Sequence, residues 1–169
     1  MSSLTAVQFG KYTKPVSWLV RVFEGFRTGA NSLQSPLLLT VRLYWGLQFA
    51  QTGWGKLHHL ARITDFFRSL GIPFPAINAP FVAGLEFVGG LLLIAGLASR
   101  LTGFLLAANM LVAYWTADHE ALLAVFSDPG KFYGADPYTF LFVSLLVLIF
   151  GAGFLSLDAA IVKLWRKGA

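Results

Sequence analysis

The chain has 169 residues, of which 56 % are hydrophobic and only 12 % charged. A chain of this length buries only about 70 % of its unfolded surface in water, and soluble domains carry roughly 25 % charged residues, so this much apolar side chain belongs in lipid. With no cysteine and a net charge of +5, the composition excludes disulfides, thiolate chemistry, Cys-held clusters and a lipid anchor on Cys, and it excludes disorder.

Residues 1–35 read as a cytoplasmic N-terminal segment. Within it, Val16 to Phe26 is apolar but interrupted by Arg21 and Glu24. Ser17, Arg21, Glu24 and Thr28 fall on one side at helical spacing, and Trp18, Val22, Phe23 and Phe26 mostly on the other. That pattern predicts an amphipathic helix lying in the membrane interface, not a signal peptide.

A four-helix membrane domain follows over residues 36–160. Four apolar runs are long enough to cross about 30 Å of hydrocarbon. The first runs from Pro36, well placed at a helix start, to Trp54. The second runs from Ala79 to Ala98, after Pro73, Pro75 and Pro80. The third runs from Leu101 to Ala117 and the fourth from Tyr138 to Leu157. Ser99 and Arg100 alone separate the second and third, which predicts a tight antiparallel hairpin. The Lys56–Gly71 connector carries a short amphipathic piece, Ile63 to Leu70. The Asp118–Pro137 connector reads as a loop, with a turn signal at Asp128-Pro129-Gly130. Residues 161–169 form a basic cytoplasmic tail. The fold class expected is all-α: an antiparallel bundle of four transmembrane helices with an interfacial N-terminal helix.

Lys and Arg positions set the orientation. Four spans place both termini and the Ser99–Arg100 turn on one side, with Lys11, Lys14, Arg21, Arg27, Arg100, Lys163, Arg166 and Lys167. The other side holds Lys56, Arg62, Arg68 and Lys131. The positive-inside rule makes both termini cytoplasmic. Basic residues flanking apolar runs also match anionic lipid headgroups. No basic stripe carries interleaved stacking aromatics, which argues against nucleic acid.

A charge inside a span costs at least about 2.5–3.5 kcal/mol, so each needs a partner or a purpose. Arg42 and Glu86 are the two clear cases; Gln48, Gln51, Asn109 and Ser144 are milder ones. Arg42 either snorkels to the cytoplasmic headgroups or faces inward as a pocket cation. Its helical neighbours Gly46 and Gly53 admit a close helix on that face. Glu86 lies deeper than a carboxylate can snorkel, with Gly89 and Gly90 one turn below. Gln48 and Gln51 sit at similar depth on an antiparallel neighbour, with Lys56 just above. Two readings of Glu86 stand: a structural ion pair between the first two helices, or a proton-accepting carboxylate beside an apolar ligand. Asn109 reads as an interhelical hydrogen bond or a ligand group. Gly151-Ala152-Gly153 reads as a packing notch, and Asp158 as a cap or an ion-pair partner of Lys163 or Arg166. His58, His59 and His119 map to the outer face; their spacing matches no metal motif, and no pair at matched depth suits haem. Trp54, Tyr114, Trp115, Tyr138 and Trp165 read as an aromatic belt.

Three stretches together resemble the DoxX family. They are Arg42-Leu-Tyr-Trp-Gly46-Leu-Gln-Phe49-Ala-Gln-Thr-Gly53-Trp-Gly55-Lys56-Leu57, then Glu86-Phe-Val-Gly89-Gly90-Leu-Leu-Leu-Ile-Ala-Gly96, and Gly151-Ala-Gly153-Phe-Leu-Ser156-Leu157-Asp158. In the last, the family often has proline and arginine where this chain has Ala152 and Phe154. The resemblance spans roughly residues 36 to 160. It implies a four-helix protein of the bacterial cytoplasmic membrane. Related proteins include subunits of a thiosulfate:quinone oxidoreductase and partners of oxidative-stress enzymes. Arg42, Lys56 and Glu86 match the family's polar positions. No GxGxxG follows a strand, so no flavin or soluble redox cofactor has a visible site.

Three functions follow as expectations. The first is a redox-linked subunit that binds a quinone or similar apolar molecule, with Glu86 accepting or donating the proton. Arg42, Gln48, Gln51, Lys56 and Asn109 would then line the ligand, with no metal. The second is a non-catalytic scaffold for a soluble or membrane oxidoreductase. The third is a small-molecule transporter, for which a homodimer would supply the pathway.

Overall fold

The computed structural model describes the backbone of residues 14–168 and the side chains of residues 18–168. The rest of the N-terminal segment, including Lys11 of the basic count, lies outside the described residues. Every described element is helical: α1 (Lys14–His58), α2 (Leu60–Ser69), α3 (Pro75–Ala95), α4 (Ser99–Thr116), α5 (His119–Leu123), α6 (Pro129–Tyr133), α7 (Pro137–Phe150) and α8 (Leu157–Gly168).

The chain divides into two units after Gln34. In the first, Trp18, Phe23 and Phe26 are all exposed. Thr28 and Ser32 donate their hydroxyls back to the Glu24 and Gly29 carbonyls of their own helix. Pro36 does not start a helix as expected; it lies inside α1. A proline reads alike at a first helical position and inside a long apolar helix, because both tolerate its missing N–H. The Thr40 hydroxyl donates to the Pro36 carbonyl at 3.1 Å.

In the second unit, α1 and α3 run in backbone contact. A Cβ on Gly53 would stand 2.7 Å from the Ala83 carbonyl oxygen and 2.8 Å from the Phe87 Cα. A Cβ on Gly90 would stand 2.5 Å from the Gly46 carbonyl oxygen. These glycines bring the two backbones together, and no larger residue fits between them. On the other side, Gly103 of α4 brings that helix equally close to Ser144 and Leu148 of α7. Phe49, Leu93, Leu106, Met110, Tyr114 and Val147 form one buried cluster where α1, α3, α4 and α7 meet. Burying each such large side chain contributes about 1.5–3 kcal/mol relative to water.

The elements differ from the sequence reading at several ends. Helix α3 begins at Pro75, in its first turn, and encloses Pro80. The turn into α4 is Gly96–Ala98, with Gly96 left-handed at φ 67°, and Ser99 already belongs to α4. Helix α7 stops at Phe150, seven residues before the expected Leu157. Gly151 and Gly153 both take positive φ there, at 75° and 73°. Gly151-Ala152-Gly153 is therefore a helix break, and Gly153 is also a packing notch, since a Cβ there would stand 2.9 Å from Ser35 Oγ. The expected Asp118–Pro137 loop holds two short helices. Asp128 caps α6 by accepting the Lys131 N–H at 3.2 Å, and Pro129 follows in the first turn. The basic tail is helical, as α8.

By length and composition, α3 is the one described helix that is both long and apolar enough to cross a membrane; α7 is a shorter apolar helix.

Candidate functional site

Two charged side chains are fully enclosed in the second unit, Arg42 (0 % exposed) and Glu86 (2 %). Glu86 projects from the middle of α3 into the interface with α1 and α4. Its Oε1 accepts twice, from Lys56 Nζ at 2.6 Å and from Asn109 Nδ2 at 3.1 Å. Its Oε2 is buried and has no partner. The glycine contacts explain this placement: with α1 and α3 touching along Gly46, Gly53 and Gly90, no side chain separates Lys56 from Glu86. Lys56 itself is about one-third exposed (32 %), so one end of the pair reaches the surface.

Arg42 occupies a different place. Its Nη2 donates to the Leu155 carbonyl at 2.6 Å, in the break between α7 and α8. Its Nε and Nη1 are buried without partners. It faces inward and does not snorkel. The guanidinium packs against Gly96, where any Cβ would collide with it, and Ser156 packs against the same spot. The fourteen residues from Arg42 to Lys56 put them about 21 Å apart along α1. Polar contacts therefore gather Lys56, Glu86 and Asn109 at one point and leave Arg42 at another. Gln51 is exposed and Gln48 half-buried; no side-chain hydrogen bond joins either to the cluster. Ser144 donates to the Phe140 carbonyl of its own helix.

Asp158 is a cap, one of its two expected roles, and the helix it caps is a distant one. Its two oxygens accept from the Ala98 and Ser99 backbone N–H groups at 2.7 and 2.9 Å. Its own N–H donates to the Gly96 carbonyl at 2.9 Å. A carboxylate from α8 thus caps the N-terminus of α4, where the helix dipole favours an anion. Ser35 makes a second tie across the break, accepting the Phe154 N–H at 3.1 Å. Tyr114 also departs from expectation. It is fully buried, not part of an interfacial belt. Its hydroxyl donates to the Phe132 carbonyl at 2.7 Å and its ring stacks on Phe132.

The end of α1 and the segment between α4 and α7 carry ordinary polar chemistry. His58 and His59 each place Nδ1 2.9 Å from a carbonyl four residues back, and His119 lies edge-on to Trp115. Among the described residues no group of three acidic or imidazole side chains is placed to hold a metal. Lys131 bonds Glu120 at 2.8 Å and holds that carboxyl below its usual range. Burial, then the nearby Asp136 charge, pushes Asp118 up.

The DoxX family profile matches residues 37–119. A protein of Bacillus subtilis (strain 168) named "Putative oxidoreductase CatD" is 31 % identical over 130 residues, 77 % of this chain and 90 % of that protein. The chain belongs to the DoxX family. "Inner membrane protein YqjF" of Escherichia coli (strain K12) is 29 % identical over 141 residues, 80 % of this chain and 99 % of that protein. No solved structure matches the chain. The matched DoxX segment contains Arg42, Lys56, Glu86 and Asn109. It stops short of the break and of α8, which supply the Leu155 and Asp158 contacts.

Proposed function

We propose that this DoxX protein is a multi-pass protein of the bacterial cytoplasmic membrane. In this reading it serves a redox partner by binding a quinone or similar apolar molecule, and Glu86 takes up and releases the proton. The observation that carries the reading is the divided carboxylate. One oxygen of Glu86 is fixed by Lys56 and Asn109, while the other is buried and free. The second oxygen leaves a buried acceptor at which a proton or a ligand donor can be held, and leaving such an acceptor unsatisfied costs about 1–3 kcal/mol. Ionisable groups inside a span are functional candidates by default. The names of the two relatives, an oxidoreductase and an inner membrane protein, support the redox and membrane parts.

The four spans in this reading are the apolar part of α1, then α3, α4 and α7. The 21 residues of α3 reach about 32 Å, enough for the hydrocarbon core. The excess of basic residues on the side of the termini supports a cytoplasmic location for both. Quinone reduction takes two electrons and two protons. Both electrons come from a partner oxidoreductase, one proton passes through Glu86 and the second is taken from solvent. Lys56 steadies the negative charge on the reduced oxygen until that second proton arrives. The test is binding and reduction of a short-chain ubiquinone by purified protein with its electron donor, beside the Glu86→Gln variant. Unchanged turnover in the variant sinks the role of Glu86. The exposed Trp18, Phe23 and Phe26 of the first unit favour a second reading, a scaffold docking a soluble oxidoreductase. That reading predicts stoichiometric recovery of the partner with no ligand in the bundle.

A further inference from the structure

Helix α8 separates its residues by chemistry. Leu157, Ile161, Leu164 and Trp165 share one stripe at helical spacing, and all four are exposed, Trp165 at 81 %. The opposite stripe holds Lys163, Arg166 and Lys167, which line a groove of about 510 Å³ against the α7–α8 break. The groove's apolar side comes from Ala152, Ala159 and Val162. Asp158 also lines it, but both its oxygens are occupied by the α4 backbone. Its charge is therefore answered locally, and the three cations dominate. Ser156, on the same wall, packs against Gly96 beside the Arg42 guanidinium, so a buried cation lies just behind.

We infer that this groove binds the headgroup of an anionic phospholipid, the phosphate sitting among Lys163, Arg166 and Lys167. The inference rests on the membrane reading above. The occupant follows from the two faces of the helix together. A bare apolar stripe with a terminal tryptophan holds α8 at the boundary between acyl chains and water, and the anion found at that depth is a lipid phosphate. Each cation near an anionic lipid surface strengthens attraction by roughly fivefold, and three together by about a hundredfold.

The experiment is native mass spectrometry of the full chain in mild detergent, titrated with phosphatidylglycerol or phosphatidylcholine. Wild-type protein retains phosphatidylglycerol at least tenfold more strongly. Lys163→Gln/Arg166→Gln/Lys167→Gln loses that preference while its thermal stability is unchanged, since all three side chains are exposed. Arg62→Gln/Arg68→Gln, which removes two cations of α2, keeps it. Equal retention of the two lipids, or a preference unaffected by the triple change, overturns the inference. So does displacement of the lipid by millimolar inorganic phosphate or by a Glu-rich peptide, which would assign the groove to a free anion or an acidic segment. Membrane extraction by alkaline carbonate is scored separately, so failure of the membrane reading is distinguishable from failure of the lipid site.

Discussion

Removing Lys56 while leaving Glu86 in place is the sharpest probe of the buried cluster. Lys56→Met keeps the unbranched apolar stem but removes the donor 2.6 Å from Glu86 Oε1. The carboxylate, 2 % exposed, is then left with Asn109 alone. Breaking a fully buried pair costs about 3–5 kcal/mol, whereas an exposed pair is worth about 0–1 kcal/mol. With Lys56 one-third exposed, the expected loss lies between, at about 2–3 kcal/mol. Glu86→Gln keeps the Asn109 contact in altered form and costs about 1.5–3 kcal/mol, the range of a lost charged hydrogen bond. The double variant removes both charges together. It should be more stable than the sum of the single losses predicts, with a coupling of about 2 kcal/mol. Thermal or denaturant unfolding in mild detergent, on all four proteins, gives the cycle. Additivity within about 0.5 kcal/mol, the behaviour of independent sites, would refute the pairing on which the site rests.

Gly53→Ala should be destabilising by about 3 kcal/mol, the upper end of overpacking costs, because its Cβ meets backbone atoms of α3 at 2.7 and 2.8 Å. Gly55→Ala, two residues on, meets nothing within 4 Å and should be neutral or gain up to about 1 kcal/mol in helix propensity; comparable melting temperatures for the two would contradict the close contact of α1 with α3. Asp118 has a raised pKa in the folded protein, from burial and then Asp136. The folded state therefore holds this proton longer than the unfolded chain, so stability falls as pH climbs from the ordinary Asp value through the raised one. Asp118→Asn removes that loss, and the melting temperature it gains should be larger at pH 7 than at pH 4. An equal gain at both would show that Asp118 titrates alike folded and unfolded.

The membrane character, the two charges set within apolar runs and the positions of α2, α3 and α4 to within a few residues were legible in sequence. Each rests on local information: apolar run length, charge placement and proline or glycine at ends. Lys56 and Glu86 were also legible as neighbours, because depth on two antiparallel helices is simple counting. What the sequence hid depends on the third dimension. Gly151 and Gly153 stop α7 early through positive φ, which the unbroken apolar run from Tyr138 to Leu155 conceals. Asp158 looks like a carboxylate serving its own helix, yet it caps a helix 59 residues earlier in the chain. Arg42 could have gone to headgroups or inward. Its direction was decided by a carbonyl freed at Leu155, where the helix had already ended. Gln48 and Gln51 share the cluster's depth but lie on other faces of α1, a rotational difference that depth cannot reveal.

Proton uptake by Glu86 is the centre of the account, and redox-induced infrared difference spectroscopy reads it directly. Purified protein with bound short-chain ubiquinone would be cycled electrochemically between quinone and quinol, and the carboxyl C=O region compared with that of Glu86→Gln. A carboxyl band that appears or disappears with the quinone and is absent in the variant is the predicted result. Identical carboxyl regions in the two proteins, with quinone bound to both, would contradict it.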